Sequence, residues 1–492
     1  MTNEQLPAGW AWATVAEVGR LQLGRQRAPR YHAGPNMRPY LRVANVFEDR
    51  IDTRDVMSMN FDPEEFEAYQ LQPGDVLLNE GQSPELLGRP AIYRGEPADA
   101  CFTNSLIRFQ AHAGVLPEWA LTVFRAYMHN GRFRRESRIT TNIAHLSMTR
   151  LKHVEFPVPP LAEQQRISDA LDEAWEYLAR ARQSAERSLR LAEALREGLI
   201  QSAVVGSVRL QGSSSAHDIL EEAGIFPIAA PPADLPELPP SWCWVRLGDL
   251  ADVSGGVTKD TKKQGAEGMI EVPYLRVANV QRGHLQLDHV ATIRVTPEKL
   301  KALRLERGDV LMNEGGDRDK LGRGWVWDGQ IDDCIHQNHV FRARLKPGVL
   351  EPKLLSWFGN TWGRSWFELR GKQTTNLASL SLRTLKELPV PVPPLDVQTG
   401  LTEYISETTA HADRIIDSAR QLLRKLDGAK KSLLQAAVTG RVVPQNPSDE
   451  SADELLARLR AESTTNAATR PRTRAVKKRN VTAKEASNKE LA

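Results

Sequence analysis

Two long segments of the chain carry apolar residues at alternating spacings of four and three, the pattern of a helix with one apolar side. They span residues 161–205 and 397–443, and neither contains a proline. At about 1.5 Å per residue, a run of about forty residues makes a helix about 60 Å long. Their matching length and register favour mutual pairing over two independent helices that each pack on their own globule. The predicted seam positions are Ile167, Leu171, Leu178, Leu195 and Leu199 in the first segment and Leu401, Ile405, Ile415, Leu422, Leu426 and Leu433 in the second.

Ahead of each long segment the pattern changes to short β-rich stretches that glycine and proline interrupt. Residues 40–46 and 75–78 are examples. The sequence therefore predicts an α+β protein in which a globule with a small sheet precedes each long helix.

The second half of the sequence repeats the first at a nearly constant offset of 234 residues. Residues 39–46 return unchanged as 273–280, and residues 74–81 return as 308–315 with one change. Further matches are Thr140-Thr141-Asn142 with Thr374-Thr375-Asn376, residues 157–161 with 391–395, and Leu6-Pro7-x-x-Trp10 with Leu238-Pro239-x-x-Trp242. Residues 13–38, 47–70 and 82–139 have little in common with their counterparts. Shared segments separated by divergent segments suit a protein whose two halves use one scaffold to recognise different ligands.

These patterns predict seven consecutive regions. They are a first globule (1–160), a first long helix (161–206), a linker with a short helix (207–237), a second globule (238–394), a second long helix (395–443), a short helix (444–462) and a disordered basic tail (463–492).

Composition limits the class of protein. Among the 492 residues, 41% are hydrophobic and 26% are charged, and no run approaches the ~18 apolar residues of a membrane span. No secretory signal is visible, and the three cysteines Cys101, Cys243 and Cys334 are widely spaced, which predicts a cytoplasmic protein without membrane contact. Residues 463–492 carry a net charge of +6 but the whole chain only +3, so a polyanion must bind the folded part at local basic patches.

The motifs of catalysis are missing from the sequence. Gly371-Lys372-Gln373-Thr374 resembles the end of a phosphate-binding loop but lacks its first glycine and the hydroxyl residue after lysine. Cys334, His336 and His339 lack a fourth metal ligand, so a polar strand is the better interpretation. We therefore predict that the chain by itself is not an enzyme and holds no metal.

Candidate binding residues are basic and lie at matching places in the two repeats. The first set occupies a loop bounded by glycine and proline, and the second set surrounds the shared Thr-Thr-Asn. Arginines suit base edges and lysines suit phosphates, although solvated loops, and a helix cap at Asn142 and Asn376, are the alternatives. The predicted DNA-binding residues are Arg25, Arg27, Arg30, Arg134, Arg135, Arg138 and Thr141 in the first repeat and Lys259, Lys262, Lys263, Arg370, Lys372, Gln373 and Thr375 in the second.

The chain resembles the DNA specificity subunits of type I restriction-modification systems over about residues 6–440. The resemblance rests on the Leu-Pro-x-x-Trp motif, on the Gly-Asp-Val-Leu box at 74–77 and 308–311, and on Pro-Val-Pro-Pro-Leu at the start of each long helix. Glu163-Gln164-Gln165 matches the family's helix start, whereas the second repeat has Val397-Gln398-Thr399 there.

The resemblance implies two α/β target recognition domains, related by a pseudo-two-fold repeat and joined by an antiparallel coiled coil that acts as a ruler. Each domain would bind one half of a bipartite asymmetric target in double-stranded DNA. No cofactor is expected in this chain. S-adenosylmethionine belongs to two modification (methyltransferase) subunits, and ATP and Mg to the restriction (translocase) subunits, all of which dock on this scaffold. Two alternatives are a coiled-coil adaptor that binds proteins, and a nuclease or methyltransferase in its own right.

Overall fold

The computed structural model describes residues 6–140, 143–208, 210, 212–258, 267–373 and 378–468. The chain forms two compact units. The first unit comprises Met1–Arg182 and Arg424–Ala492, and the second comprises Gln183–Leu423.

Both predicted long helices are present. The first helix spans Leu161–Ala203, and the second helix spans Leu395–Val438, five residues short of the predicted end. The second helix stops early because Gly440 follows with a φ of +65°, a left-handed conformation that favours glycine. Gly206 has a φ of +77° at the matching place after the first helix.

Ion pairs within each unit show that the two helices run antiparallel. In the first unit Arg182 pairs with Asp427. In the second unit Arg196 lies 2.6 Å from Asp413, and Arg420 lies 2.9 Å from Glu193. Residue numbers rise along one helix as they fall along the other, so the predicted antiparallel pair is confirmed.

Each long helix begins with the same glutamine clamp. Gln164 accepts a hydrogen bond from the Leu116 amide at 2.8 Å and donates to the carbonyls of Gly114 and Pro159. Gln398 is the matching residue and makes the equivalent contacts with Glu351, Val349 and Pro393. The second repeat therefore keeps the helix start although it has Val397 in place of Glu163.

The described residues of the first unit form five small sheets. In sheet order, the strands are Ala11–Thr14 with Glu155–Val158; Gly19–Leu23, Leu106–Ala111, Val76–Asn79 and Pro90–Ile92; Cys101–Phe102, Met37–Leu41 and Met57–Asn60; Ser137–Thr140, Ile143–Leu146 and Gly81–Gln82; and Val46–Phe47 with Arg50–Ile51. Its shorter helices are Val15–Val18, Pro63–Tyr69, Pro117–His129, Arg132–Arg135, Met148–Leu151 and Ala452–Ala468, with short 3-10 turns at Pro29–Tyr31 and Val43–Asn45.

The second unit repeats this arrangement sheet for sheet. Its strands are Cys243–Arg246 with Pro389–Val392; Ala251–Ser254, Val340–Leu345, Val310–Asn313 and Gly324–Val326; Ile335–His336, Ile270–Leu275 and Ala291–Val295; Lys372–Gln373, Ala378–Ser379 and Gly315–Gly316; and Val280–Gln281 with His284–Leu285. Its shorter helices are Ala216–Glu222, Leu247–Leu250, Pro297–Leu303, Pro352–Asn360, Trp362–Arg370 and Leu382–Lys386, with a 3-10 turn at Arg318–Lys320.

The core of each unit takes in the start of one long helix and the end of the other. In the first unit Ile167 and Leu171 share a buried cluster with Leu434 and Ala437. The equivalent buried cluster of the second unit contains Ile200, Ala203, Leu401 and Ile405. Burial of these apolar side chains, worth about 25 cal/mol per Å², fixes both helices to both globules.

The predicted seam positions differ in burial: Ile167, Leu171, Leu401 and Ile405 are buried next to the globules, and three others are exposed. Leu195, Ile415 and Leu422 are 55%, 47% and 42% exposed, whereas Ile416 is 5% exposed. An α-helix has 3.6 residues per turn, whereas the predicted seven-residue repeat assumes 3.5. Over a long helix the predicted positions therefore drift around the axis, and the buried position becomes the neighbouring residue. Of the other seam positions, Leu178, Leu199, Leu426 and Leu433 are half-buried.

The helix Ala452–Ala468 extends six residues into the segment predicted to be a disordered tail. Leu455 and Leu456 bury its apolar side in the first unit, as Leu220 of the helix Ala216–Glu222 does in the second. Residues 469–492 lie outside the described residues. None of the described helices combines the length and apolar character that a membrane span requires.

Candidate nucleic-acid interface

The longest identical segment of the two repeats forms an internal turn. The Asn45 side chain accepts from the Arg42 amide at 3.1 Å and donates to the carbonyls of Asp52 and Asp55 at 3.0 and 2.9 Å. Asn279 makes the same three bonds, at 2.9 to 3.0 Å, with Arg276, Gln286 and His289. The Asn45 and Asn279 side chains of this shared motif therefore stabilise the frame of each unit.

The shared Gly-Asp-Val-Leu box is also structural. Asp75 is buried, accepts from the Gln72 amide and from Gln110 at 2.9 Å each, and lies 3.5 Å from Arg108. Burial raises the pKa of the Asp75 carboxyl above its ordinary value, against the opposing effect of these hydrogen bonds. Asp309 is held in the same way, at 2.7 Å from the Glu306 amide.

The box leads directly into a three-stranded hairpin sheet in each repeat. In the first unit the register aligns Arg138 with His145 and His145 with Gly81. In the second unit the register aligns Lys372 with Ser379 and Ser379 with Gly315. A basic residue of the predicted set therefore occupies the same position of the same sheet in both units. We call the sheets that hold Arg138 and Lys372 the basic hairpins.

The residues predicted around the basic hairpins are surface residues wherever their side chains are described. Arg134 and Arg135 are exposed in the short helix Arg132–Arg135, which immediately precedes the first hairpin. Arg370 ends the helix Trp362–Arg370, and its guanidinium lies 4.7 Å from the centroid of Trp366. Lys372 is exposed, and Arg138 and Gln373 are placed as strand residues. Thr141 and Thr375 lie outside the described residues.

The loop predicted from Arg25, Arg27 and Arg30 divides into two environments. Arg25 is 6% exposed, pairs with Glu65 at 2.6 Å, donates to the carbonyl of Asn60 and stacks 3.6 Å from the centroid of Tyr31. Its guanidinium therefore stabilises the loop instead of facing a ligand. Arg27 and Arg30 are exposed, and the matching Lys259, Lys262 and Lys263 lie outside the described residues.

The three residues weighed as metal ligands are separated by their hydrogen bonds. Cys334 and His336 are buried, and the Nδ1 of His336 donates to the Val340 carbonyl at 2.6 Å. His339 is exposed and contacts Glu314. Burial lowers the pKa of His336 to about 4, so this ring is neutral at physiological pH. Across the described residues, no cluster of three or more ligand-type side chains surrounds a metal position.

Sequence reasoning missed Glu80 and Glu314, which lie three residues after the Gly-Asp-Val-Leu box and next to the basic hairpins. Their identity in both repeats was a usable signal, since they lie where the shared segment ends and the divergent residues 82–139 begin. What they contact could not be predicted, because the partners come from distant parts of the chain.

Comparison with known proteins agrees with this geometry. Residues 14–180 match the family model for the type I restriction modification DNA specificity domain. The chain is 22% identical over 489 residues to the EcoKI specificity subunit of Escherichia coli K12, covering 94% of this chain and 97% of that protein. It is also 22% identical to the StySPI specificity subunit of Salmonella potsdam, again covering 94% and 97%. A solved chain from a study of complex assembly and conformational transition of the type I restriction-modification system has a TM-score of 0.63 at 15% identity, covering 89% of this chain and 99% of that chain.

Each unit contains a repeated globule with a basic hairpin, and the comparisons favour a DNA specificity subunit over a coiled-coil adaptor. Over 94% of its length the chain is similar to specificity subunits of type I restriction enzymes, and residues 14–180 match the model of the DNA specificity domain. Both of these relatives are named as specificity subunits of their restriction enzymes.

Proposed function

We propose that the chain is the subunit of a type I restriction-modification complex that selects the DNA sequence, with each unit reading one half of a bipartite asymmetric target. One observation carries this proposal. The two units have the same internal frame, down to the Asn45 and Asn279 turns, but carry different surface residues around the same basic hairpin. Shared support with different surfaces is the arrangement needed to recognise two different half-sites.

The partners follow from this role. We propose that two modification subunits, which bring S-adenosylmethionine, and restriction subunits, which bring ATP and Mg, assemble on this chain in the cytoplasm. The proposal is supported by two relatives that are named specificity subunits of type I restriction enzymes, and by the similar solved chain from a study of complex assembly.

The test is to reconstitute the chain with its modification subunits and to map methylated positions on genomic DNA by single-molecule sequencing. We expect one methylated motif made of two short words separated by unspecified bases. A single uninterrupted motif, or no motif with an active methyltransferase, would contradict the proposal.

A second measurement tests the basic hairpins. Lys372→Gln should weaken binding to the mapped duplex and reduce the slope of log K against log salt by about one if the lysine neutralises a phosphate. Arg414→Gln, which changes an exposed residue of the second helix, is the matched control. Binding that does not depend on salt in the unmodified complex would instead indicate a partner that is not a nucleic acid.

A further inference from the structure

Glu80 and Glu314 occupy the same backbone position in the two units. The Glu80 amide donates to the Ser105 carbonyl at 2.9 Å, and its carbonyl accepts from the Leu146 amide at 2.7 Å. Glu314 makes the same two bonds with the His339 carbonyl and the Leu380 amide, at 3.0 and 2.8 Å. Both carboxylates are 27% exposed. Each glutamate is therefore fixed at the edge of its basic hairpin.

Each of these carboxylates holds a histidine, but the two histidines come from different elements. In the first unit the Nδ1 of His145, on the hairpin strand Ile143–Leu146, lies 3.3 Å from both Glu80 oxygens. In the second unit the Nδ1 of His339, just before the strand Val340–Leu345, lies 2.7 Å from Glu314 Oε2.

The two histidines are not repeats of one another. The position that matches His145 is Ser379, and the position that matches His339 is Ser105. The two equivalent glutamates therefore contact histidines that belong to different elements of the fold. A contact that only maintained the shared frame would be expected from equivalent positions, as for Asn45 and Asn279.

The geometry leaves one nitrogen of each ring for a ligand. A carboxylate is only an acceptor, so Nδ1–H donates to the glutamate in both units. The rings of His145 and His339 are 49% and 55% exposed, and no hydrogen bond to either Nε2 occurs among the described residues. Nε2 can accept a hydrogen bond from a base amino group or, in the imidazolium form, donate to guanine or to phosphate.

We propose that His145 and His339 contact double-stranded DNA through Nε2, one in each half-site, and that Glu80 and Glu314 are the positioning residues that orient them. The proposal rests on the proposed function and extends it to specific atoms. Because the two rings are presented from different elements, they reach different places relative to their hairpins, and each contributes to the specificity of its own half-site.

The test uses the complex with modification subunits and the duplex identified by methylation mapping. Asparagine can reproduce the Nδ1 hydrogen bond to glutamate but not the outer nitrogen, whereas glutamine places an amide near the Nε2 position. We expect His145→Asn and His339→Asn each to weaken binding about tenfold, the size of a base contact, and the glutamine variants to retain more of the affinity. Glu80→Gln should weaken binding by a smaller factor, because it keeps an acceptor for Nδ1–H and loses only the charge.

Duplexes altered in one half-site at a time provide the decisive readout. His145→Asn should lose discrimination in one half-site only, and His339→Asn in the other. Altered base preference in that half-site places the contact on a base edge, as proposed. A reduced salt slope with unchanged base preference places the contact on a phosphate and overturns the contribution to specificity. The controls are His153→Asn and His411→Asn, which change exposed histidines away from the two glutamates.

The proposal is overturned if both asparagine variants bind like the unmodified complex, or if they weaken binding to both half-sites equally. It is also overturned if glutamine weakens binding while asparagine does not, because the ring would then serve only to hold the glutamate. Failure of the unmodified complex to bind a bipartite duplex would instead refute the proposed function.

Discussion

Two arginines in one loop show how much of this protein is decided at single residues. Arg25 and Arg27 are two positions apart, but Arg25 is enclosed by Glu65, Asn60 and Tyr31 while Arg27 is exposed. A buried guanidinium that satisfies internal acceptors is a stabilising element, and an exposed one is available to a ligand. The two residues should therefore differ in what their removal affects.

We expect Arg25→Gln to lower the unfolding free energy by about 2 kcal/mol, because it removes a charge-assisted hydrogen bond and the ion-pair partner of Glu65. This corresponds to a fall in the melting temperature of the first unit of about 5 °C. Arg27→Gln should leave the melting temperature unchanged and weaken DNA binding. Calorimetry and fluorescence anisotropy measure the two quantities, and equal melting temperatures for both variants would contradict the prediction.

The buried His336 gives the second unit a dependence on pH. Its pKa is lowered by burial to about 4 from an ordinary value of 6.5, so the unfolded chain takes up a proton before the folded chain does. Stability is therefore lost as the pH falls from 6.5 towards 4, by up to about 3 kcal/mol. The first repeat has Phe102 at the matching position. We expect His336→Phe to flatten the melting temperature over this pH range and the exposed His411→Phe to leave it unchanged; a slope that persists in His336→Phe would refute this account.

At the scale of elements, the end of each long helix is fixed by a contact between two shared motifs. A Cβ on Gly440 would lie 2.4 Å from Pro7 and 3.1 Å from Trp10. A Cβ on Gly206 would lie 2.5 Å from Pro239 and 3.3 Å from Trp242. In each globule the proline and tryptophan of the Leu-Pro-x-x-Trp motif thus pack against the glycine that follows one long helix.

We expect Gly440→Ala to destabilise the first unit by about 2 kcal/mol, because alanine resists the left-handed conformation and its Cβ overlaps Pro7. Gly428→Ala is the matched control, since a Cβ there meets nothing within 4 Å inside the second helix. It should stabilise the protein by up to about 1 kcal/mol. Chemical denaturation of both variants tests this, and equal effects would show that the glycine contact does not matter.

At the scale of the whole molecule, the long helices are proposed to set the spacer between the half-sites. Four residues added to each helix lengthen it by about 6 Å, close to two base pairs at about 3.4 Å each. The spacer mapped by methylation sequencing should lengthen accordingly. A preferred spacer that does not change would refute the ruler.

The repeat also predicts independent recognition by the two units. Replacing residues 13–139 with the matching segment of another family member should change one half-site word and leave the other intact. Methylation mapping of the hybrid complex reads this directly, and simultaneous change of both words would exclude separate reading.

The sequence by itself determined the repeat, the two long helices and the α+β character of each globule, because periodicity and self-similarity are written along the chain. It also predicted that Arg138 and Lys372 occupy matching positions, because residues related by the constant offset of 234 pair in the same register. Tertiary structure decided which candidates are accessible. Arg25 is enclosed by Glu65 and Asn60, and the helix stripe shifts from Ile415 to Ile416, because burial depends on what packs from elsewhere. The Glu80–His145 and Glu314–His339 pairs could be seen only once the fold had brought distant residues together.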